Sequence, residues 1–127
     1  MTEHVDITPA DCIARLTYIS DELGTMSLGL LQVEQKLQPL EQAYDEELAD
    51  FEAGMFEAWE KGEGKWPGEE TRERFYRRTM PADRRQELLR LRAARKRAEK
   101  RIASLKAAAD AQRSVLSALK VEMEASR

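Results

Sequence analysis

The stretch that decides the fold is LTYISDELGTMSLGLLQVEQKLQPLEQAYDEELADF at residues 16–51, in which apolar side chains recur every seven residues. One series occupies a single position of this repeat: Leu16, Leu23, Leu30, Leu37, Tyr44 and Phe51. A second series follows three residues later and is interrupted only by Glu47: Ile19, Met26, Val33 and Leu40. A sustained seven-residue repeat predicts a long helix that packs along a narrow seam, as in a coiled coil.

A second repeat begins near residue 88 and has small or polar residues at its centre. Its members are Leu88, Leu91, Arg95, Ala98, Ile102, Leu105, Ala109, Gln112, Leu116, Leu119 and Met123. Bulky residues of the first repeat can therefore pack on small residues of the second repeat. Each repeat follows a Pro-Ala-Asp helix start, at Pro9 with Thr8 as the N-cap and at Pro81 with Thr79 or Met80 as the cap.

These features predict an all-α fold in which residues 1–127 form a single helical domain. We expect a long antiparallel helical hairpin, a coiled coil, with a short helix and an aromatic cluster at the loop end. The first helix is predicted at about 9–61, the loop and short helix at 62–80, and the last helix at about 81–126. The loop is expected because residues 61–68 contain three glycines and a proline. Such a hairpin would be a rod that presents surface and encloses no pocket.

The first helix also contains residues that disfavour a straight helix. Gly24, Gly29 and Pro39 interrupt its repeat, and a proline inside a helix removes one backbone hydrogen bond at a cost of about 3 kcal/mol. We therefore expect a kink or a break within 24–39, with the kink placed near 35–39. A break near Gly24, which would give a three-helix arrangement, is the second alternative.

Composition and charge limit the possible functions. The 127 residues carry a net charge of −3, but residues 1–63 contain 15 acids and 3 bases, whereas residues 64–127 contain 9 acids and 18 bases. No apolar run suggests a membrane span or a signal peptide, so we expect a cytoplasmic protein. Cys12 is the only cysteine and His4 the only histidine. We therefore expect neither a disulfide nor a zinc site, and no cofactor.

Catalysis is not expected either. Paired carboxylates such as Asp45 and Glu46 are common in the first helix, but acid–base chemistry needs an enclosed site that separates their pKa values. No glycine-rich phosphate loop follows a strand, and His4 is the only candidate base for a Ser–His–Asp set. We predict that the protein is not an enzyme.

Aromatic side chains are concentrated near the loop, interleaved with arginines. They favour either a cap that packs the short helix onto the hairpin or a surface that binds a partner, since Trp, Tyr and Arg dominate interface hot spots. The candidate partner-binding residues are Phe56, Trp59, Trp66, Arg72, Phe75 and Tyr76.

The last helix carries ten bases between Arg84 and Lys106 against Glu87 and Glu99. Pairing with acids of the first helix would neutralise much of this charge and specify the register. The alternative is a surface for nucleic-acid phosphates. Its candidate residues are Arg92, Lys96, Arg97, Lys100 and Arg101.

Other kinds of binding are compatible with the same sequence. The acidic first helix could imitate DNA or fill a basic groove, and the tip of a coiled coil could enter a channel. A homo-oligomer is a further alternative, with Leu89, Ala108 and Val115 beside the repeat of the last helix as its surface.

The end of the last helix, RSVLSALKVEM at residues 113–123, resembles the ending of small coiled-coil proteins that tailed bacteriophages and prophages encode, often beside recombination or replication genes. This resemblance implies a phage origin, a location in the cytoplasm of the bacterial host cell, and an accessory role in phage DNA metabolism or host takeover. We predict a non-enzymatic accessory protein that binds a protein partner as an inhibitor, adaptor or assembly factor. Binding of nucleic acid through the last helix is the alternative.

Overall fold

A computed structural model describes residues 7–62 and 64–126. This part of the chain contains three helices and no strand: α1 at Pro9–Glu60, α2 at Glu69–Thr79 and α3 at Ala82–Ala125. The all-α prediction is confirmed, and the long helices α1 and α3 pack together. None of the described helices has a stretch apolar enough to span a bilayer.

A reciprocal cap begins α1. The amide and the hydroxyl of Thr8 both donate to Oδ2 of Asp11, at 3.0 and 2.9 Å, and the Asp11 amide donates to Thr8 Oγ1 at 3.2 Å. These bonds satisfy amides that the helix itself leaves without acceptors. They also lower the pKa of the Asp11 carboxyl, chiefly through its bond with the Thr8 backbone.

The predicted cap of α3 is wrong. Thr79 belongs to α2, and its hydroxyl donates to the Tyr76 carbonyl at 2.7 Å. Met80 ends α2, with its amide donating to the Arg77 carbonyl. The Pro81 carbonyl accepts the first bond of α3, from the Arg85 amide at 3.0 Å. Both candidate caps are therefore used to finish the preceding helix.

The predicted break in α1 does not occur. The helix continues through Gly24 and Gly29 and contains Pro39 in its interior. Pro39 is exposed, while Leu37 and Tyr44 on either side of it are buried in the core. Burial of these neighbours offsets the one backbone hydrogen bond that a proline removes. A kink at 35–39 stays a prediction.

The chain divides into two compact units. The first unit contains the residues up to Leu31 and those from Lys96 onward, and the second contains Gln32–Arg95. In the first unit, Ile19 of α1 packs with Leu105 and Ala109 of α3. Partly buried side chains of α1 complete this cluster: Leu16, Leu23 and Met26. The predicted packing of bulky residues on small ones is present in this cluster.

The second unit is built from all three helices. Its buried residues are Leu37, Tyr44, Tyr76, Met80, Leu88 and Leu91. Partly buried side chains of α1 surround them: Val33, Leu40, Leu48 and Phe51. Within this unit α1 and α3 run antiparallel, since Glu47 pairs with Arg84 whereas the earlier Glu41 pairs with the later Arg92.

Candidate partner-binding site

Two tyrosine–glutamate bonds fix α2 against α1 in the second unit. Tyr44 of α1 donates to Glu73 of α2 at 2.6 Å, and Tyr76 of α2 donates to Glu47 of α1 at 2.7 Å. The two tyrosine rings meet edge to face, with centroids 5.2 Å apart. Arg84 of α3 donates to the other carboxylate oxygen of Glu47 at 2.8 Å. The glutamate that interrupts the apolar series thus links the three helices.

The same contacts change the acidity of these groups. Burial, reinforced by the Glu47 carboxylate, raises the pKa of Tyr76 to about 12 from an ordinary 10.0. Burial and the bond to Glu73 raise the pKa of Tyr44 as well. The Arg84 bond, and then the Tyr76 bond, lower the pKa of the Glu47 carboxyl. Folding therefore favours neutral phenols bound to ionised carboxylates.

Tyr76 was a candidate partner-binding residue, but its place is structural. It is only 5% exposed, and its ring packs on Phe51 as well as Tyr44. Phe75 is 38% exposed and lies under the Arg78 guanidinium, 5.7 Å from the ring centroid. Neighbouring residues of a helix point about 100° apart, so these two aromatic residues lie on different faces of α2.

Three other aromatic rings form a contiguous group that we call the aromatic surface: Phe56, Trp59 and Trp66. The centroid of Phe56 lies 5.6 Å from that of Trp59 and 5.3 Å from that of Trp66, and the two tryptophans are 5.5 Å apart. Phe56 is 43% exposed, and both tryptophans are partly exposed. The last turns of α1 supply two of the rings, and the α1–α2 connection supplies the third.

The connection is held so that Trp66 stays on the other rings. Trp59 Nε1 donates to the Gly64 carbonyl at 2.9 Å, and Gly64 has φ +134°, a conformation that side chains with a Cβ rarely adopt. Arg72 lies over Trp66 at 5.2 Å and donates to the Pro67 carbonyl at 2.7 Å. It is also 3.6 Å from Glu52. Arg72 thus positions the rings and is largely used within the chain.

The sequence around the aromatic surface contains more acids than bases. Residues 52–70 contain six acids and two bases. Glu57 and Glu60 are exposed at the end of α1, and the last turn of this helix carries no base. A helix C-terminus is itself the negative end of the helix dipole. The aromatic surface is therefore suited to an apolar partner with basic residues around its contact.

The basic residues of α3 divide into two groups. In the second unit, Arg92 Nε lies 3.2 Å and Arg95 Nη1 lies 3.6 Å from the same oxygen of Glu41. The Arg92 guanidinium also lies over Tyr44, at 5.5 Å. The predicted neutralisation by α1 therefore occurs at Arg84, Arg92 and Arg95, so Arg92, a candidate nucleic-acid-binding residue, is paired within the chain.

In the first unit the remaining candidate bases are exposed: Lys96, Arg97, Lys100 and Arg101. Among the described residues, none of these four forms an ion pair or a hydrogen bond of its side chain. The α1 residues 23–31 of the same unit contain no charged residue. Acidic residues of α1 thus do not neutralise the charge of these four basic residues.

No family model matches the chain, and no curated protein and no solved structure matches it either. Among residues 7–62 and 64–126, no group of three or more His, Cys, Asp or Glu side chains is placed to hold a metal ion. Cys12 is buried, and His4 lies outside the described residues.

Proposed function

We propose that this chain is a non-enzymatic accessory protein that binds a protein partner through the aromatic surface. The observation that carries this proposal is the exposure of Phe56, at 43%, within a group of rings that bonds to Gly64 and Pro67 hold in place. Rings that are already ordered lose little conformational freedom on binding, so more of their contact area contributes to affinity. Large aromatic side chains are also the usual anchors of interfaces.

The proposed partner has an apolar contact surface surrounded by basic residues. Its apolar side chains would cover Phe56 and the exposed edges of the tryptophans, and its Lys or Arg residues would meet Glu57 and Glu60. Complementary charge speeds association and excludes acidic partners. An inhibitor, an adaptor and an assembly factor would all use such a contact.

The proposal includes the finer description of the fold. In each unit, α1 and α3 would form an antiparallel coiled-coil segment, with the seven-residue seams as its core. The likeness of residues 113–123 to small coiled-coil proteins of tailed phages supports an accessory role of phage type.

Replacing Phe56 by alanine is expected to raise the Kd for the partner at least about tenfold, or about 1.4 kcal/mol, because a central ring is lost. Phe75→Ala is the matched control, since Phe75 is similarly exposed but lies outside the aromatic surface. The partner would be enriched from bacterial extract on the immobilised wild-type chain, and affinities would then be measured by calorimetry with purified proteins.

Circular dichroism would verify that both variants keep the helical content of the wild type. Equal loss of affinity in the two variants would contradict a contact centred on the aromatic surface. Unchanged affinity after Phe56→Ala would contradict it as well.

Nucleic-acid binding is the second candidate function, favoured by the exposure of Lys96, Arg97, Lys100 and Arg101 without partners in the described chain. Each phosphate contact releases counterions, so the logarithm of the affinity for duplex DNA falls by about 0.9 per contact for each logarithmic unit of salt. If this surface binds DNA, Lys100→Gln/Arg101→Gln should reduce that slope by about two units, as measured by fluorescence anisotropy.

The control variant is Arg90→Gln/Arg113→Gln. It removes the same charge from bases that already pair with Glu87 and Asp110, and it should leave the slope nearly unchanged. Absence of DNA binding by the wild type at low salt would contradict this second candidate and leave the protein partner.

A further inference from the structure

The first unit carries a second seven-residue pattern on α1, displaced by one residue from the buried seam. Its positions are Ile13, Thr17, Ser20, Gly24, Ser27 and Leu31, and all six are exposed. One residue corresponds to about 100° around a helix, so this series lies on a flank of α1 that α3 does not cover. We call it the second seam.

The composition of the second seam differs from that of the same positions further along α1. None of its six residues is charged, whereas the next four equivalent positions are Glu34, Gln38, Glu41 and Asp45. Ile13 is 55% exposed and Leu31 is 50% exposed, and Leu28, one turn before Leu31, is 57% exposed. The uncharged part of the pattern therefore stops where the first unit ends.

Gly24 at the centre of this series has no evident function within the chain. It lies inside a helix, where glycine is less favourable than alanine. An added Cβ would meet no heavy atom within 4 Å, and no unusual φ requires a glycine there. Its small size matters only if another molecule approaches the helix closely.

The arrangement of sizes along the second seam is symmetric. In an antiparallel pair of such helices, Ile13 of one copy would lie opposite Leu31 of the other, Thr17 opposite Ser27, and Ser20 opposite Gly24. Large apolar residues would meet at both ends, and small residues in the middle would let the backbones approach. Because the same patch would serve both copies, this is the form of a two-fold, isologous interface.

We propose that the second seam is the self-association surface of this protein and that its occupant is the second seam of another copy, in antiparallel orientation. The three large apolar side chains expose about 100 Å² each, and with the small residues two copies would bury on the order of 1,000 Å². This area is at the low end for a specific contact, so the dimer is weak and reversible. The surface is separate from the aromatic surface and from Leu89, Ala108 and Val115 on α3.

The test is sedimentation equilibrium of the full chain from about 10 μM to about 1 mM, a range that covers weak dimers. The mass of the wild type should rise from the 14.6 kDa of one chain toward twice that value. Leu31→Glu places a carboxylate against Ile13 of the other copy, and its dimer Kd should be at least about tenfold higher. Gly24→Gln, which keeps a good helix former, should weaken the dimer as much.

Leu89→Glu is the matched control, because it makes the same change at an exposed leucine of α3, 57% exposed against 50% for Leu31. It should leave the dimer Kd unchanged. A wild type that stays monomeric throughout the concentration range would overturn the proposal. Dissociation by Leu89→Glu, with no effect of Leu31→Glu, would overturn it in favour of a surface on α3.

Discussion

Replacing Leu105 by aspartate is expected to unfold the helix pair of the first unit, at a cost of roughly 3–5 kcal/mol. Leu105 is 4% exposed and packs with Ile19 and Ala109. An aspartate there would lose its hydration among apolar side chains. Chemical denaturation followed by circular dichroism at neutral pH would measure the loss in the free energy of unfolding.

Ser104→Asp is the control for this change, because Ser104 precedes Leu105 and is exposed. Its effect on the free energy of unfolding should stay within about 0.5 kcal/mol. A Leu105→Asp variant with the melting curve of the wild type would show that α1 and α3 pair in a different register.

The seams were predictable because they depend on local periodicity. Leu37, Tyr44, Leu88, Leu91 and Leu105 were all placed on seams, and all are buried. Leu116, also expected against α1, is partly buried. The apolar stripe of a long helix is buried when a second helix with a matching apolar stripe packs against it. Both stripes can be read directly from the spacing of apolar residues.

Glu47 shows where this reasoning stops. Within the apolar series it is an interruption, and nothing near it in sequence explains a carboxylate there. Its partners are Tyr76, 29 residues away, and Arg84, 37 residues away. Their positions depend on how α2 docks, and docking of a short helix is not encoded in a local repeat. Sequence reasoning therefore missed the interaction that joins the three helices.

The candidate partner-binding site was predicted only in part, because its residues were grouped by sequence and not by how α2 docks. Proximity in sequence grouped Tyr76 with Trp66, and structure separates them because Tyr76 points into the core. Periodicity within α2 offers a signal: Glu73, Tyr76 and Met80 are spaced three and four residues apart, as expected for one helix face. Phe75 lies off that face. The division of the basic residues of α3 into paired and exposed groups could not be predicted. It depends on which acidic residues of α1 lie opposite each basic residue of α3.

Raising the pH from 10 to 12 is expected to destabilise the second unit by about 2 kcal/mol through Tyr76 alone. Its pKa is raised from 10.0 to about 12 on folding, and each pKa unit corresponds to about 1.4 kcal/mol. A group with a raised folded pKa contributes its full stability below the unfolded pKa and loses it as pH approaches the folded value. Tyr44 acts in the same direction. Urea denaturation at several pH values would measure this loss.

The Tyr76→Phe variant separates ionisation of the Tyr76 phenol from other effects of high pH on stability. The variant should be less stable by about 1 kcal/mol near pH 8, because the bond to Glu47 is lost and the ring is kept. Between pH 10 and 12 it should lose less stability than the wild type, since its ring cannot ionise. Tyr44→Phe should show the same behaviour to a smaller degree. Parallel pH profiles for the wild type and Tyr76→Phe would contradict the assignment of the alkaline loss to ionisation of the Tyr76 phenol.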